Sequence, residues 1–127
     1  MLLQIDPSLP VPIYRQLADQ VVYRIAAGEL REGDQLPSIR TLATRLRINP
    51  NTVIKAYREL EHRGFADSMH GRGFFVAEGG AEPARGEWRR RALERLREAA
   101  MRASAVGLEL KEILAAVEQA VREGGTV

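Results

Sequence analysis

The sequence predicts an α+β fold: three short helices and a β-hairpin in the N-terminal part, followed by two helices at the C-terminal end. Apolar residues recur at helical spacing in three successive stretches, beginning at Ile13, Ile39 and Val53. A strong start signal, Asn49-Pro50-Asn51-Thr52, opens the third helix only a few residues after the second must end. Two short β-favouring runs then flank His70-Gly71-Arg72-Gly73, a segment rich enough in glycine for a tight reversal.

The first helix is read from Pro12, whose missing N–H does no harm at a first helical position. Ile13, Leu17, Val21 and Ile25 form one apolar stripe, and Gly28 supplies the stop. Leu30 to Asp34 is a short polar link. Ser38 is an N-cap for the second helix, although Thr41 stands where a full capping box would have Glu. Ile39, Leu42, Ala43 and Leu46 make its buried side. In the third helix Val53, Ala56, Tyr57 and Leu60 face inward, and Gly64 closes it. Two helices joined by so short a turn must cross steeply, which defines a helix-turn-helix. The strands are expected at Phe65 to Met69 and Phe74 to Val76, where Gly71 and Gly73 permit positive φ. Helices and hairpin together make a winged helix-turn-helix.

Residues 78–87 are expected to be a linker, because Gly79, Gly80, Pro83 and Gly86 interrupt regular structure. Beyond it, Trp88, Ala92, Leu96, Ala99 and Ala103 repeat at helical steps, as do Leu110, Leu114, Val117 and Val121 after a break near Gly107. Two amphipathic helices over 88–124 cannot enclose a core of their own. Their stripes must pack on another surface, and a second copy of the chain is the economical choice, so this segment is read as a dimerisation element.

Composition narrows the chemistry. With 127 residues there is room for one small domain and a helical appendage. There are no cysteines, which excludes disulfides, thiolate metal sites and cysteine nucleophiles. Met1 to Pro7 does not read as a signal peptide, and no run approaches a membrane span, so a cytoplasmic location is expected. No nucleophile–base pair, HExxH or P-loop occurs, and Gly71-Arg72-Gly73 lacks the third glycine of a dinucleotide site. Neither an enzyme nor a metal or cofactor site is expected.

Net charge is only +2, but its distribution is uneven. From Ser38 to Arg58 there are five cations (Arg40, Arg45, Arg47, Lys55, Arg58) and no acid. Glu29, Glu32 and Asp34 precede this stretch, and Glu59, Glu61 and Asp67 follow it. A basic island in a near-neutral chain fits a surface that meets phosphate.

Taken in order, Leu36-Pro37-Ser38-Ile39-Arg40-Thr41-Leu42-Ala43, Asn49-Pro50-Asn51-Thr52-Val53, Ala56-Tyr57-Arg58-Glu59-Leu60, Gly64 and Gly71-Arg72-Gly73-Phe74-Phe75-Val76 resemble the DNA-binding domain of GntR-type regulators. The resemblance covers about residues 10–77. The Asn-Pro-Asn-Thr-Val start of the third helix is similar to the YtrA-like subfamily, in which a two-helix C-terminal segment replaces larger effector domains. The chain departs from the pattern at Ile39 and Thr41, where relatives often carry Glu, which weakens a helix cap and leaves the DNA reading untouched.

The resemblance implies a regulator of transcription that binds double-stranded DNA, with repression expected and activation the alternative; a homodimer formed through the C-terminal stripes would meet an inverted repeat. The third helix would enter the major groove with its N-terminal residues at the bases. Asn51 suits an adenine edge, and Thr52 offers a hydroxyl to phosphate and a methyl to thymine. Lys55 would reach the backbone or a base. Arg40 resembles the family's operator-contacting arginine, and Ser38 and Thr41 flank a helix N-terminus suited to phosphate. In the wing, Gly71 and Gly73 permit the turn and Arg72 is placed for a minor groove. Five positions keep two readings each. Asn49 is a pure cap or a base contact, and Tyr57 is core with or without a phosphate contact through its hydroxyl. His70 is a turn residue or a contact, and Arg45 and Arg47 are solvated or in contact. The C-terminal segment is too small for an effector pocket of the usual kind, so a small-molecule effector would have to bind at the dimer interface or between the domains.

Overall fold

The computed structural model describes residues 3–124 and divides the chain into two units, Met1–Trp88 and Arg89–Val127. The first unit holds α1 (Ile13–Ala26), α2 (Ile39–Leu46), α3 (Pro50–His62), β1 (Ala66–Met69), β2 (Gly73–Val76) and the start of α4 (Ala81–Ala105). The second holds the rest of α4 and α5 (Leu110–Gly124).

The expected stripes form the core of the first unit. Leu17, Val21 and Ile25 of α1 meet Leu42 and Ala43 of α2 and Val53, Ala56, Tyr57 and Leu60 of α3, with Phe65 and Val76 closing the wing side. Their burial removes apolar surface from water, the main favourable contribution to folding. An extended N-terminal segment is laid against α1: the Gln16 side chain accepts from the Asp6 N–H at 2.8 Å and donates to the Asp6 and Val11 carbonyls, both at 2.9 Å. Leu3 is thereby brought into the core.

The helix ends follow local side-chain chemistry. Ser38 caps α2 by accepting from the Thr41 N–H at 3.0 Å. The Ser38 hydroxyl also donates to the Thr41 hydroxyl at 2.7 Å, a side-chain contact unlike the bond from the Ser38 backbone N–H that a capping-box Glu would accept. Asn49 caps α3 through its Oδ1, which accepts from the Asn51 N–H at 2.8 Å, and Pro50 takes the first turn. Between the helices Arg47 adopts the left-handed conformation at φ 57°, and it is the sole non-glycine residue to do so among those described. Pro12 lies one position outside α1 rather than at its first residue, and its carbonyl accepts from the Arg15 and Gln16 N–H groups.

The wing is an antiparallel hairpin with Ala66 opposite Val76 and Met69 opposite Gly73. Its strands begin one residue later and one residue earlier than expected, respectively. A third extended segment, residues 33–36, overlaps the end of the expected link and runs along β2. The Leu36 N–H donates to the Phe74 carbonyl, the Gly33 N–H to the Val76 carbonyl, and Gln35 forms a bridge with Phe75.

The linker expected over 78–87 is corrected: α4 begins at Ala81. Pro83 falls in the first turn, where its N–H would have no intrahelical acceptor. Gly86 weakens the helix by about 1 kcal/mol relative to alanine, but neighbouring residues are anchored. Ala84 is fully buried, and Trp88 packs edge-on against Tyr23 with ring centroids 5.0 Å apart. Glu87 pairs with Arg63, the residue that ends α3. Burial here overrides the breaker signals. The actual reversal lies at Gly79, at φ 80°, and at Gly80, where a Cβ would sit 3.1 Å from the Ala77 carbonyl oxygen.

In the second unit α5 has no buried residue, and Leu110, Leu114 and Val121 are exposed. Leu93, Leu96 and Met101 of α4 are exposed as well. Gly107, at φ 98°, makes the break between the helices.

Candidate nucleic-acid interface

The expected contact residues lie on α2, on α3 and at the wing tip. Ser38, Arg40, Thr41, Asn49, Asn51, Lys55, His70, Gly71, Arg72 and Gly73 are all exposed, and Thr52 is half-buried. On α2 and α3 exposure follows from the stripe geometry, since each helix turns its apolar face to the core, whereas His70, Gly71, Arg72 and Gly73 sit at the hairpin reversal.

Two grooves gather most of them. One, of about 390 Å³, is lined by Asn49, Asn51, Thr52 and Lys55 of the α3 start together with Ile13 and Tyr14 of α1. The other, of about 280 Å³, lies between the α2 N-terminus and the wing, and Ser38, Arg72 and Gly73 share it with Gln35 and Phe74. Arg40, Thr41, His70 and Gly71 are exposed but line neither groove.

Cations in the first unit fall into two kinds. Arg24 is paired with Glu29 at 2.5 Å, while Arg63 is paired with Glu87, lies 3.6 Å from Asp19, and has its guanidinium over Phe65. By contrast, no ion pair to Arg40, Arg47, Lys55, Arg58 or Arg72 occurs among the described residues, and all five are exposed. Cations without carboxylate partners keep their charge available to an incoming anion. Arg40, Arg47, Lys55 and Arg58 of the acid-free run therefore reach the surface as positive charge without a carboxylate partner.

Tyr57 is corrected as a DNA contact. Its ring is 1% exposed and packs edge-on against Phe74, and its hydroxyl donates to the Pro37 carbonyl at 2.7 Å. Burial pushes its phenol well above the usual range, so the group remains a neutral donor to Pro37. Its contribution is to hold the start of α2 against α3. Asn49 does act as a cap, which commits its Oδ1 and leaves its amide N–H₂ free of that role.

Two residues at these grooves escaped the sequence reading. Gln35 donates to the Arg72 carbonyl at 2.8 Å and so steadies the wing tip. Tyr14 lies beneath Lys55, whose Nζ is 4.2 Å from the ring centroid. Tyr14 gave one weak signal: it is an aromatic residue off the α1 stripe, next to Ile13. Gln35 gave none. Among the described residues no group of three or more His, Asp or Glu side chains is placed to hold a metal, and no helix is long and apolar enough to cross a membrane.

Residues 13–76 match the family model for bacterial regulatory proteins of the gntR family. The chain is 46% identical over 77 residues to the HTH-type transcriptional repressor YtrA of Bacillus subtilis, a match covering 61% of this chain and 59% of that protein. It thus spans a little over half the length of that relative. In structure it is similar to a transcriptional regulator from Oenococcus oeni, with a TM-score of 0.70 and 31% identity, over 92% of this chain and 97% of the other. It is also similar to YtrA from Sulfolobus acidocaldarius, a GntR-family transcription factor, with a TM-score of 0.59 and 40% identity over 74% of this chain and 99% of that one. These relatives are regulators of transcription rather than enzymes, and the likeness to the two YtrA proteins supports the YtrA-like branch. With the matched residues coinciding with the three helices and the wing, the chain belongs to the GntR family of bacterial regulatory proteins.

Proposed function

We infer that this chain is a sequence-specific repressor that binds duplex DNA as a homodimer at an inverted repeat, in the cytoplasm. The observation that carries the reading is the surface of exposed cations without ion-pair partners, Arg40, Arg47, Lys55, Arg58 and Arg72, set beside the amides of Asn49 and Asn51. Cations supply phosphate affinity, and amides can read base edges, so the combination suits a specific duplex rather than a simple polyanion. In this reading α3 enters the major groove with Asn51 at the bases. The α2 start, with Ser38, Arg40 and Thr41, grips the backbone, and Arg72 of the wing, beside His70, reaches a minor groove. The repressor role takes its support from the printed name of the Bacillus subtilis relative.

Dimerisation takes its support from the second unit. A helix pair that leaves Leu93, Leu96, Leu110, Leu114 and Val121 in water has an apolar face to cover, and a second copy offers a matching one. Half-sites would then lie about one helical turn apart.

The test is to select duplexes from a random pool and to measure affinity across a salt series by fluorescence anisotropy. A steep loss with salt is expected, and Arg40→Ala should cost about 1–3 kcal/mol on the selected duplex while relaxing sequence preference. A chain that selects no duplex would be a protein adaptor instead. An Arg40→Ala chain that bound selected and random duplexes as before would show that the assigned surface is wrong.

A further inference from the structure

We propose that Tyr14 is a positioning residue of the DNA interface, presenting the Lys55 ammonium to the duplex on an uncharged aromatic face. The proposal rests on the DNA-binding reading above and extends the interface from α3 to the first turn of α1.

Lysine is a flexible four-carbon stem ending in a point charge, and an unrestrained one must give up rotamer freedom when it binds. Lys55 is already held, with Nζ 4.2 Å from the Tyr14 ring centroid. Both residues line the groove that also contains Asn49, Asn51 and Thr52 at the start of α3. None of the groove-lining residues is acidic. The choice of an aromatic holder has a consequence. A carboxylate would restrain the ammonium equally well, as Glu87 and Asp19 restrain Arg63, but it would cancel the charge and compete with phosphate. A ring attracts the cation through its quadrupole and leaves the net charge intact. The ordering cost falls while the positive potential survives, which is the requirement for a preorganised phosphate contact.

The experiment uses the full-length chain, a duplex selected by it from a random pool, and an unrelated duplex of equal length. Affinities are measured across a salt series for Tyr14→Phe, Tyr14→Leu, Lys55→Gln and the Tyr14→Leu/Lys55→Gln pair. Lys55→Gln should weaken both duplexes and reduce the salt slope by about one. Tyr14→Leu should lose about two- to fivefold with the slope unchanged, the scale of an exposed cation–ring attraction. Tyr14→Phe should bind like the parent chain, and Tyr14→Leu should have no further effect once Lys55 is gone. Melting each variant separates fold from contact, and Tyr14→Met, an adaptable side chain, replaces the leucine variant if that melts early.

A Tyr14→Leu loss that persists in the Lys55→Gln background overturns the positioning role, as does a Phe variant that loses as much as Leu. A Lys55→Gln chain with unchanged affinity and slope overturns the lysine contact itself, and the positioning role with it. If Lys55→Gln weakens binding and Tyr14→Leu does not, the lysine contact stands and only the role of Tyr14 is lost.

Discussion

Leu60 of α3 and Leu114 of α5 occupy equivalent places in their sequences, each within an apolar stripe at helical spacing, yet their surroundings differ. Leu60 is fully buried among residues of the first unit, whereas Leu114 is 57% exposed. The same holds around them: Val53, Ala56 and Tyr57 are buried with Leu60, while Leu110 and Val121 are exposed with Leu114. The periodic pattern states that a face seeks cover and does not state what covers it. In the winged helix the chain covers its own stripes. In α5 it does not, so the cover has to come from outside that helix.

The contrast predicts a large difference between identical substitutions. Leu60→Ala should destabilise the fold by about 2–5 kcal/mol, because it opens a cavity in a closed core. Leu114→Ala should change the melting of a dilute chain by no more than about 0.5 kcal/mol, as for other surface positions. At high concentration, Leu114→Arg should shift the light-scattering mass from dimer to monomer, since a charge would be placed in the proposed subunit interface. Equal thermal losses at Leu60 and Leu114 in the dilute chain would show that α5 is covered by the chain itself. A Leu114→Arg chain that stayed dimeric would remove α5 from the interface.

The features legible in the sequence were those fixed by neighbours in sequence. The Ser38 and Asn49 caps and the hairpin glycines each depend on a few adjacent residues, and each is where local chemistry placed it. Stripes were legible for the same reason, since helical spacing alone defines a face. The acid-free run located the exposed cations of the candidate interface. What escaped was non-local. The Leu36–Phe74 pairing that adds a third extended segment to the wing joins residues far apart in sequence, and so does the Tyr14–Lys55 contact. The fate of Tyr57 was decided by the Pro37 carbonyl, which no spacing rule reveals. The start of α4 was hidden by Pro83 and Gly86, whose local preferences were outweighed by the burial of Ala84 and the packing of Trp88.

That start of α4 gives the next smaller effect. Arg63 and Glu87 are both largely shielded, with side-chain exposures of 23% and 17%. Glu87→Gln would leave Arg63 with Asp19 at 3.6 Å as its remaining ion-pair partner, and should lower stability by about 1–2 kcal/mol. Thermal melts at low and high salt check this. Because Arg63 ends α3, a chain shortened to Gly80 loses Ala84, Glu87 and Trp88 together and should melt well below one that runs past Trp88. If the two fragments melt together, the first turns of α4 add nothing to the winged helix.

The smallest effect is also the one with two opposite signs. Arg47 holds a left-handed backbone at φ 57° between α2 and α3, where glycine would carry no steric penalty. Nearby glycines such as Gly64 and Gly28 do fill such helix-ending positions. Arg47→Gly should therefore raise stability by up to about 1 kcal/mol. In the DNA-binding reading it also removes one of the exposed cations without an ion-pair partner, so affinity should fall and the salt slope should shrink by about one if the side chain meets phosphate. A more stable chain with weaker, less salt-dependent binding would mean that the strain is kept for the sake of the cation. A more stable chain with unchanged binding would place Arg47 outside the contact surface and leave its left-handed turn as a cost with no return at the DNA.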